Sequence, residues 1–360
     1  MGVRLIMVSI RYFRESDNAT ILDIDKLCVQ GNKKYAWGVD KSPDFIARYK
    51  MYDNWNILVA EENDKIAGWI GWTVKDSPIR NDRYAYIAEV MVHPEFRRRG
   101  IAAKLVAEAE KKAKENGASY IYCYIFGPND SSRKMFENIG YSNENVFKSS
   151  AVSVYNKANI IQKYKIERIN KNEINDVVKL INDFYNKRAH FIPYTPESFE
   201  SYINAIPVYG LKNFWAVKED GKILACAGLW DCSVLQRMCF AKLPLALKIM
   251  RGVFGFLSLF VKVPKIPAEG EYFKMNYIID YAFKPQSSDA MSNLIRSFNN
   301  FLFENKQDFL VAVMDPNDTL FEIMKIFKPQ NEIFYLFAKA FEKELPKFSP
   351  LYIDIRDTIL

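Results

Sequence analysis

The residues Glu89–Leu105, EVMVHPEFRRRGIAAKL, carry the clearest chemical meaning in this sequence. An apolar run reads as a buried strand to Val92, Pro94 blocks its continuation, and three arginines and a glycine precede a helical pattern. The first N–H groups of a helix have no internal partner, and the helix dipole adds positive potential there, so such a terminus receives anions. Gly100 lets a phosphate approach the backbone closely, and Ala102 is small for the same reason. Arg97, Arg98 and Arg99 add charge in a geometry that suits phosphate oxygens. Taken alone, Arg-Arg-Arg-Gly is a solvated basic turn. Between a strand and a helix it is a pyrophosphate loop. It is neither a Walker loop, which ends in Gly-Lys-Ser/Thr, nor a Gly-x-Gly-x-x-Gly dinucleotide fingerprint.

Other reactive side chains are sparse. Glu89 is either a base acting through water or an outward-facing strand residue. Cys123 is either a nucleophile or, as is usual for cysteine in an aromatic strand, part of a core. His93, before Pro94, reads as a loop residue, and no third group of a hydrolytic triad accompanies either. Five cysteines without a Cys-x-x-Cys pair argue against a disulfide framework and for a reducing, cytoplasmic compartment. With only two histidines, no metal site is expected.

The surrounding elements place the loop. Ile10–Arg14 reads as a strand and Asn18–Val29 as a helix with Ile21, Ile24, Leu27 and Cys28 on one face. Ser42-Pro43 is expected to open a second helix. Trp55–Glu62 and Lys65–Val74 are strands joined by a tight turn at Asn63-Asp64. Arg83–His93 is a strand, Gly100–Asn116 a helix whose Ala102, Leu105, Val106, Ala109 and Ala113 share a face, Ser119–Phe126 a strand and Asn129–Ile139 a helix. This order predicts an α/β fold.

The 360 residues suit two domains, and 49% hydrophobic with 26% charged residues is an ordinary globular balance. The net charge of +7 is spread along the chain, so no nucleic-acid partner is expected. The later half repeats the earlier. Ile57–Val74 aligns without a gap on Phe214–Asp231, pairing Lys65 with Lys222, Ile66 with Ile223 and Gly71 with Gly228. Ile125–Tyr141 aligns on Val313–Pro329 through a shared Pro-Asn-Asp. Two copies of one fold are expected, with a boundary near Ala158–Gln162: domains at 1–158 and 163–360. The second copy reads Lys284-Pro285-Gln286-Ser287-Ser288 where the loop should be, so its anion site is lost. It also carries an insertion, about 232–269, that is apolar and basic and has no acidic residue until Glu269. That insertion reads as a helical pair packed on its own domain, or else as a lid or membrane-surface element. Its most apolar run, Gly252–Val261, is short of the roughly 20 residues needed to span a bilayer, and a membrane partner is not expected. The start of the chain shows no signal-peptide pattern.

Arg97-x-x-Gly100-x-Ala102 after Val92-His93-Pro94, together with Asn129, Gly140 and Tyr141, resembles the GNAT superfamily of acyl-CoA N-acyltransferases. The resemblance covers residues 9–157. It implies two GNAT-like domains, each a mixed, splayed sheet flanked by helices, the second degenerate. It further implies that the backbone of Met91 and Val92 pairs with the pantetheine arm, that the amides of Arg98, Arg99, Gly100, Ile101, Ala102 and Ala103 hold the pyrophosphate beside Arg97, and that Asn129 approaches the thioester. The implied activity is transfer of an acetyl group from acetyl-CoA to a primary amine of a small molecule or peptide, by a monomer or homodimer. The alternative is acyl-CoA sensing without turnover. The family's tyrosine seven residues after the Asn falls here on Phe136, which has no proton to give the leaving thiolate. Either Tyr124 or Tyr141 substitutes, or the thiolate leaves unassisted, or the domain binds acyl-CoA without efficient catalysis; Glu89 is the candidate base.

Overall fold

The structure is a computed structural model that describes residues 8–77, 82–342 and 344–358. The chain divides into two compact units. Unit 1 comprises Met1–Asn145, Tyr335–Lys347 and Arg356–Leu360; unit 2 comprises Val146–Phe334 and Phe348–Ile355.

Unit 1 runs β1 (Val8–Tyr12), α1 (Asn18–Leu27), β2 (Gln30–Gly31), β3 (Ala36–Asp40), β4 (Trp55–Glu62), β5 (Lys65–Ser77), β6 (Asp82–Val92), α2 (Ile101–Glu115), β7 (Ala118–Phe126) and α3 (Asp130–Asn138), then enters β8 (Ser142–Ser153). Its main sheet has the order β1-β4-β5-β6-β7. The β4–β5 hairpin turns through Asn63 and Asp64, both left-handed as a two-residue hairpin turn requires. Ile101, Leu105, Val106, Ala109 and Ala113 of α2 bury one face of the sheet. Ile21, Leu22 and Ile24 of α1 bury the other with Phe45 and Trp69. The helix expected to open at Ser42-Pro43 does not form. Asn18 Oδ1 accepts from the Phe45 amide at 2.9 Å and Asp44 Oδ1 from the Ile46 amide at 3.1 Å. These side-chain bonds favour turns over a helix, and only a 3-10 turn at Tyr49–Met51 follows.

Unit 2 contains β9 (Lys165–Arg168), α4 (Ile174–Tyr185), α5 (Pro196–Ala205), β10 (Phe214–Glu219), β11 (Lys222–Trp230), β12 (Arg237–Lys242), α6 (Leu245–Leu257), β13 (Met275–Phe283), α7 (Ser288–Glu304), β14 (Phe309–Met314) and α8 (Thr319–Lys325). Strands follow the order β14-β13-β11-β10-β9, with β13 and β14 parallel. The insertion is thus one strand and one helix, not a helical pair, and no residue of α6 is fully buried.

The division into units falls between Asn145 and Val146, upstream of the boundary read from sequence, and neither unit is a continuous stretch of chain. From Val146 onward β8 pairs antiparallel with β14 in unit 2, from Lys148↔Met314 to Ser153↔Phe309. In return β15 (Gln330–Ala340) reaches unit 1, where it lies beside β7 and where the Phe341 amide donates to Ser119 O at 2.9 Å. A short last helix, α9 (Ile355–Thr358), brings Arg356 and Asp357 into unit 1 as well. The stretch around 156–161 is held on α7. Asn293 exchanges two hydrogen bonds with the Ile161 backbone, and Asn299 donates to Asn156 O at 2.8 Å.

Candidate functional site

The parallel strands β6 and β7 pair from Arg83↔Ala118 to Ile87↔Cys123 and no further. On its other side β6 stays paired with β5 to Gly68↔Val92. The His93 amide donates to Ala67 O at 2.9 Å. In an antiparallel ladder the hydrogen-bonded pairs alternate, so Met91 faces Trp69, while the N–H and C=O of Val90 and Val92 turn toward the side that β7 has left. An extended ligand therefore finds strand-like partners on Val90 and Val92. Met91 lines the site through its side chain, with Gln30 Nε2 4.0 Å from its sulfur.

The loop begins where this gap opens. Arg98 (φ 63°) and Gly100 (φ 75°) are both left-handed, and Gly100 caps α2. A β-carbon on Gly100 would meet nothing within 4 Å, so glycine is favoured there by backbone conformation and by access to the helix terminus rather than by crowding. Arg97, Arg98, Arg99 and Gly100 are exposed, Ala102 and Ala103 half-buried, and Ile101 anchors the first turn in the core. The three arginines differ. Arg97 donates to Val92 O at 3.0 Å, which tethers the loop to the strand. Arg99 pairs with the buried carboxylate of Glu62 and stacks on Phe96. Arg98 forms no ion pair among the described residues. Asn129 Oδ1 caps α3 by accepting from the Ser132 amide, and its Nδ2 donates to Gln30 Oε1, both at 3.2 Å. Gln30 thus links the open ends of β6 and β7.

Beneath β6 lies a buried charge cluster. Lys41 Nζ sits 2.5 Å from Glu89 Oε2 and 3.2 Å from Asp25 Oδ1, and all three side chains are 3% exposed. Tyr49 Oη donates to Glu89 Oε1 at 2.5 Å. The contact needs Gly71, whose β-carbon would stand 2.0 Å from that hydroxyl. Arg48, also buried, donates to Tyr86 Oη at 3.4 Å, while its Nε and Nη1 have no hydrogen-bond partner. Burial opposes charge on Glu89, but Lys41 and Arg48 outweigh it and hold the carboxyl below its usual range. Asp25 goes the other way. Burial dominates, only Lys41 offsets it, Glu89 adds repulsion, and its carboxyl is pushed up to about 6. Its Oδ2 is buried without a hydrogen bond.

Tyr124 shares this face, 5.7 Å from the Tyr86 ring and 5.5 Å from Tyr122. Asp357 closes the tyrosine wall. It accepts from Tyr52 Oη at 2.9 Å and Tyr122 Oη at 2.6 Å, and pairs with Lys75 at 2.6 Å. Tyr141 lies on the opposite, α2 face. Its ring packs edge-on against Phe136 at 4.9 Å, and its buried hydroxyl has no hydrogen bond. Burial raises its titration well above the ordinary value. The structure therefore groups Glu89 with Tyr124 and sets Tyr141 apart. Cys123 is in the core, and burial lifts its thiol well above the usual range. His93 Nδ1 accepts from the Glu95 amide and caps a 3-10 turn.

Sequence reasoning passed over Asp25, Gln30, Lys41, Arg48 and Tyr49. Their signal was Gly71, a glycine inside an otherwise bulky strand, which marks a close approach. A cavity of about 690 Å³ near Asp82, Lys114 and Ser119 opens at the other end of β6 and β7 and is remote from this chemistry.

Residues 22–141 match the model of the Acetyltransferase (GNAT) family. A GCN5-related glucosamine N-acetyltransferase region of a fungal multi-domain GH3 β-N-acetylglucosaminidase superposes with a TM-score of 0.63 at 12% identity. The match covers 94% of this chain but spans only 38% of that protein. The N-myristoyltransferase of Saccharomyces cerevisiae, with bound myristoyl-CoA, gives 0.60 at 11% identity over 94% of this chain and 83% of its own. A tandem GNAT protein from the clavulanic acid biosynthesis pathway gives 0.57 at 10% identity over 93% and 98%. At such identities these likenesses concern the fold, and they agree with two GNAT-like domains in mixed α/β architecture. The acetyltransferase family match thus falls within unit 1, and over the rest of the chain the likeness is one of fold.

Proposed function

We propose that unit 1 transfers an acetyl group from acetyl-CoA to a primary amine of a small molecule or peptide. The observation that carries this reading is the end of β6–β7 pairing at Ile87↔Cys123, followed directly by a Gly100-capped helix terminus. A pantetheine arm suits the open edge of Val90 and Val92, and a pyrophosphate suits the amides from Arg98 to Ala103, with Arg98 as the available cation. An amine of ordinary pKa near ~10.4 must lose a proton to attack the thioester carbon. Glu89, locked charged between Lys41 and Tyr49, orients that pair, and Asp25, tuned to about 6, accepts the proton. The new C–N bond forms as the C–S bond breaks, with the Val92 N–H supporting negative charge on the carbonyl oxygen. Tyr124, on the same face as the cluster, returns a proton to the thiolate, a role for which the core position of Tyr141 is unsuited. The unpartnered Nε and Nη1 of Arg48 favour an acceptor that presents an oxygen or carboxylate near its amine.

Acyl-CoA sensing without turnover remains the second reading, favoured by one observation: Phe136, buried in the core, has no hydroxyl to offer a leaving thiolate. Calorimetry with acetyl-CoA and myristoyl-CoA, followed by a thiol-release screen of amines with and without carboxylates, separates the readings. Thiol release that depends on an amine supports transfer. Binding with no release for any amine supports sensing. No binding of either thioester overturns both.

A further inference from the structure

Unit 2 exposes an apolar surface that its own fold leaves uncovered. Leu245 is 73% exposed, Phe256 64%, Leu259 74% and Phe260 72%, with Ile249, Val253 and Val261 also open. Leu245, Ile249, Val253, Phe256 and Phe260 fall at i, i+4, i+8, i+11 and i+15, one stripe along α6 and its continuation. Leu247, Phe254 and Leu257, on the other side of the helix, are half-buried. The helix therefore has two apolar faces, one half-buried and one turned to solvent. Scattered exposed leucines need no explanation, but a continuous stripe with two phenylalanines marks a binding surface.

Charge selects the occupant. Residues 232–268 contain Arg237, Lys242, Lys248, Arg251, Lys262 and Lys265 and no Asp or Glu. Lys248 and Lys265 are tied back to Glu269 and Glu271. Lys242, Arg251 and Lys262 enter no ion pair among the described residues. Lys242 and Lys262 lie just beyond the two ends of the stripe and Lys248 beside it, so cations edge the apolar surface, while Arg251 falls toward the opposite side of the helix. A second copy of this chain would bring like charges together along that edge. An anionic bilayer satisfies both parts at once, apolar side chains entering the acyl boundary and cations meeting headgroup phosphates. At 13 residues α6 can lie on a membrane but not cross it, and among the described residues no helix is long and apolar enough to cross.

We infer that the α6 stripe, Leu245 to Phe260, with its basic edge docks unit 2 on the surface of an anionic lipid bilayer. This takes up the reading of the insertion as a membrane-surface element.

The test is co-sedimentation of the full chain with vesicles of phosphatidylcholine alone or mixed with an equal part of phosphatidylglycerol. Wild type should pellet with the mixed vesicles and dissociate as salt rises. Phe256→Glu with Phe260→Glu should lower that affinity at least ~10-fold with unchanged melting temperature, since both side chains are already in water. Lys242→Gln with Lys262→Gln should weaken binding to the mixed vesicles while leaving any binding to neutral ones unchanged. Failure of wild type to pellet, or equal pelleting with neutral vesicles, overturns the proposal. So does self-association of the wild type that the Phe256/Phe260 double variant abolishes, because the stripe would then join two copies.

Discussion

The two units share a skeleton and differ in charge. Each has a hairpin with left-handed turn residues, Asn63-Asp64 in one and Asp220-Gly221 in the other. Each has a central parallel pair that stops short, after Ile87↔Cys123 and after Ile278↔Ala312. Each has a strand glycine pressed on a tyrosine hydroxyl, Gly71 on Tyr49 and Gly228 on Tyr209. At the bulge opposite that glycine, unit 1 places Glu89 against Lys41 and Arg48. Unit 2 places Asp280 near the hydroxyls of Tyr202 and Tyr352, at 3.4 and 3.3 Å. At the helix terminus, unit 1 offers Arg98 and Gly100. Unit 2 offers Ser287 with φ −119° and Asp289 in the first turn, bonded to Tyr164. A carboxylate at that end of a helix competes with a phosphate. The backbone scaffold is thus maintained by packing, while the anion site proposed for unit 1 depends on a few residues that packing does not require.

The largest expected effect sharpens this comparison through the exchanged segments. Removing residues 335–360 takes β15 and Asp357 from unit 1. Lys75 and the hydroxyls of Tyr52 and Tyr122 then lose a shared buried carboxylate. Losing one partner of a buried pair costs about 3–5 kcal/mol, so unit 1 should fail to fold, and the fragment ending at Ala158 should show no cooperative melt. Asp357→Ala in the full chain should lower the stability of unit 1 by a similar amount, read as an early transition in a two-step thermal unfolding curve. A fragment 1–158 that melts cooperatively would show that unit 1 does not need its borrowed strand.

Next in size is the anion site. Gly100→Asp places a carboxylate where a pyrophosphate is expected, at a backbone conformation that Asp tolerates. It should weaken acetyl-CoA binding roughly 30-fold, or ~2 kcal/mol, with little change in melting. In unit 2, Asp289→Asn should create no binding, because the left-handed glycine is also missing. Calorimetry on both variants decides, and binding gained by the second would mean that one charge alone separates the units.

What could be read from sequence follows the same division. The loop, the hairpins, the α2 face and the pairing of Gly71 with Gly228 are local or periodic, and the residues themselves encode them. Asp25, Lys41 and Arg48 lie in a stretch with ordinary composition and acquire meaning only by packing beneath Glu89, 48 residues from Lys41. Asp357 reaches Tyr52 across 305 residues, and no pattern near either announces it. The second helix is absent although Pro43 is a fair helix-opening signal, because Asn18 and Asp44 take amides that a helix would have used.

Asp25 gives a smaller, pH-resolved effect. With its carboxyl near 6, kcat/KM should fall as pH drops through about 6, and Asp25→Asn should lower the plateau roughly 10-fold and remove that limb. The sign for stability is opposite. A raised carboxyl contributes stability that is fully present below its unfolded pKa and lost as pH rises through about 6, so the variant's melting temperature should depend less on pH in that window. An unchanged pH profile would return the base to Glu89 or to solvent.

The smallest effect concerns Tyr141. Its hydroxyl is buried on the α2 face without a hydrogen bond, away from Glu89 and Tyr124. Removing it leaves no partner unsatisfied, and an unbonded buried hydroxyl itself costs about 1–3 kcal/mol, so Tyr141→Phe should be neutral or stabilising. Turnover should stay within about twofold, whereas Tyr124→Phe should slow thiol release about 10-fold or more if it supplies the leaving-group proton. The reverse change, Phe136→Tyr, would bury a second hydroxyl beside the first and should destabilise unit 1 without raising the rate. A rate increase there would mean that the core around Phe136 opens to the thioester, and that the missing tyrosine, rather than the face under Glu89, limits catalysis in unit 1.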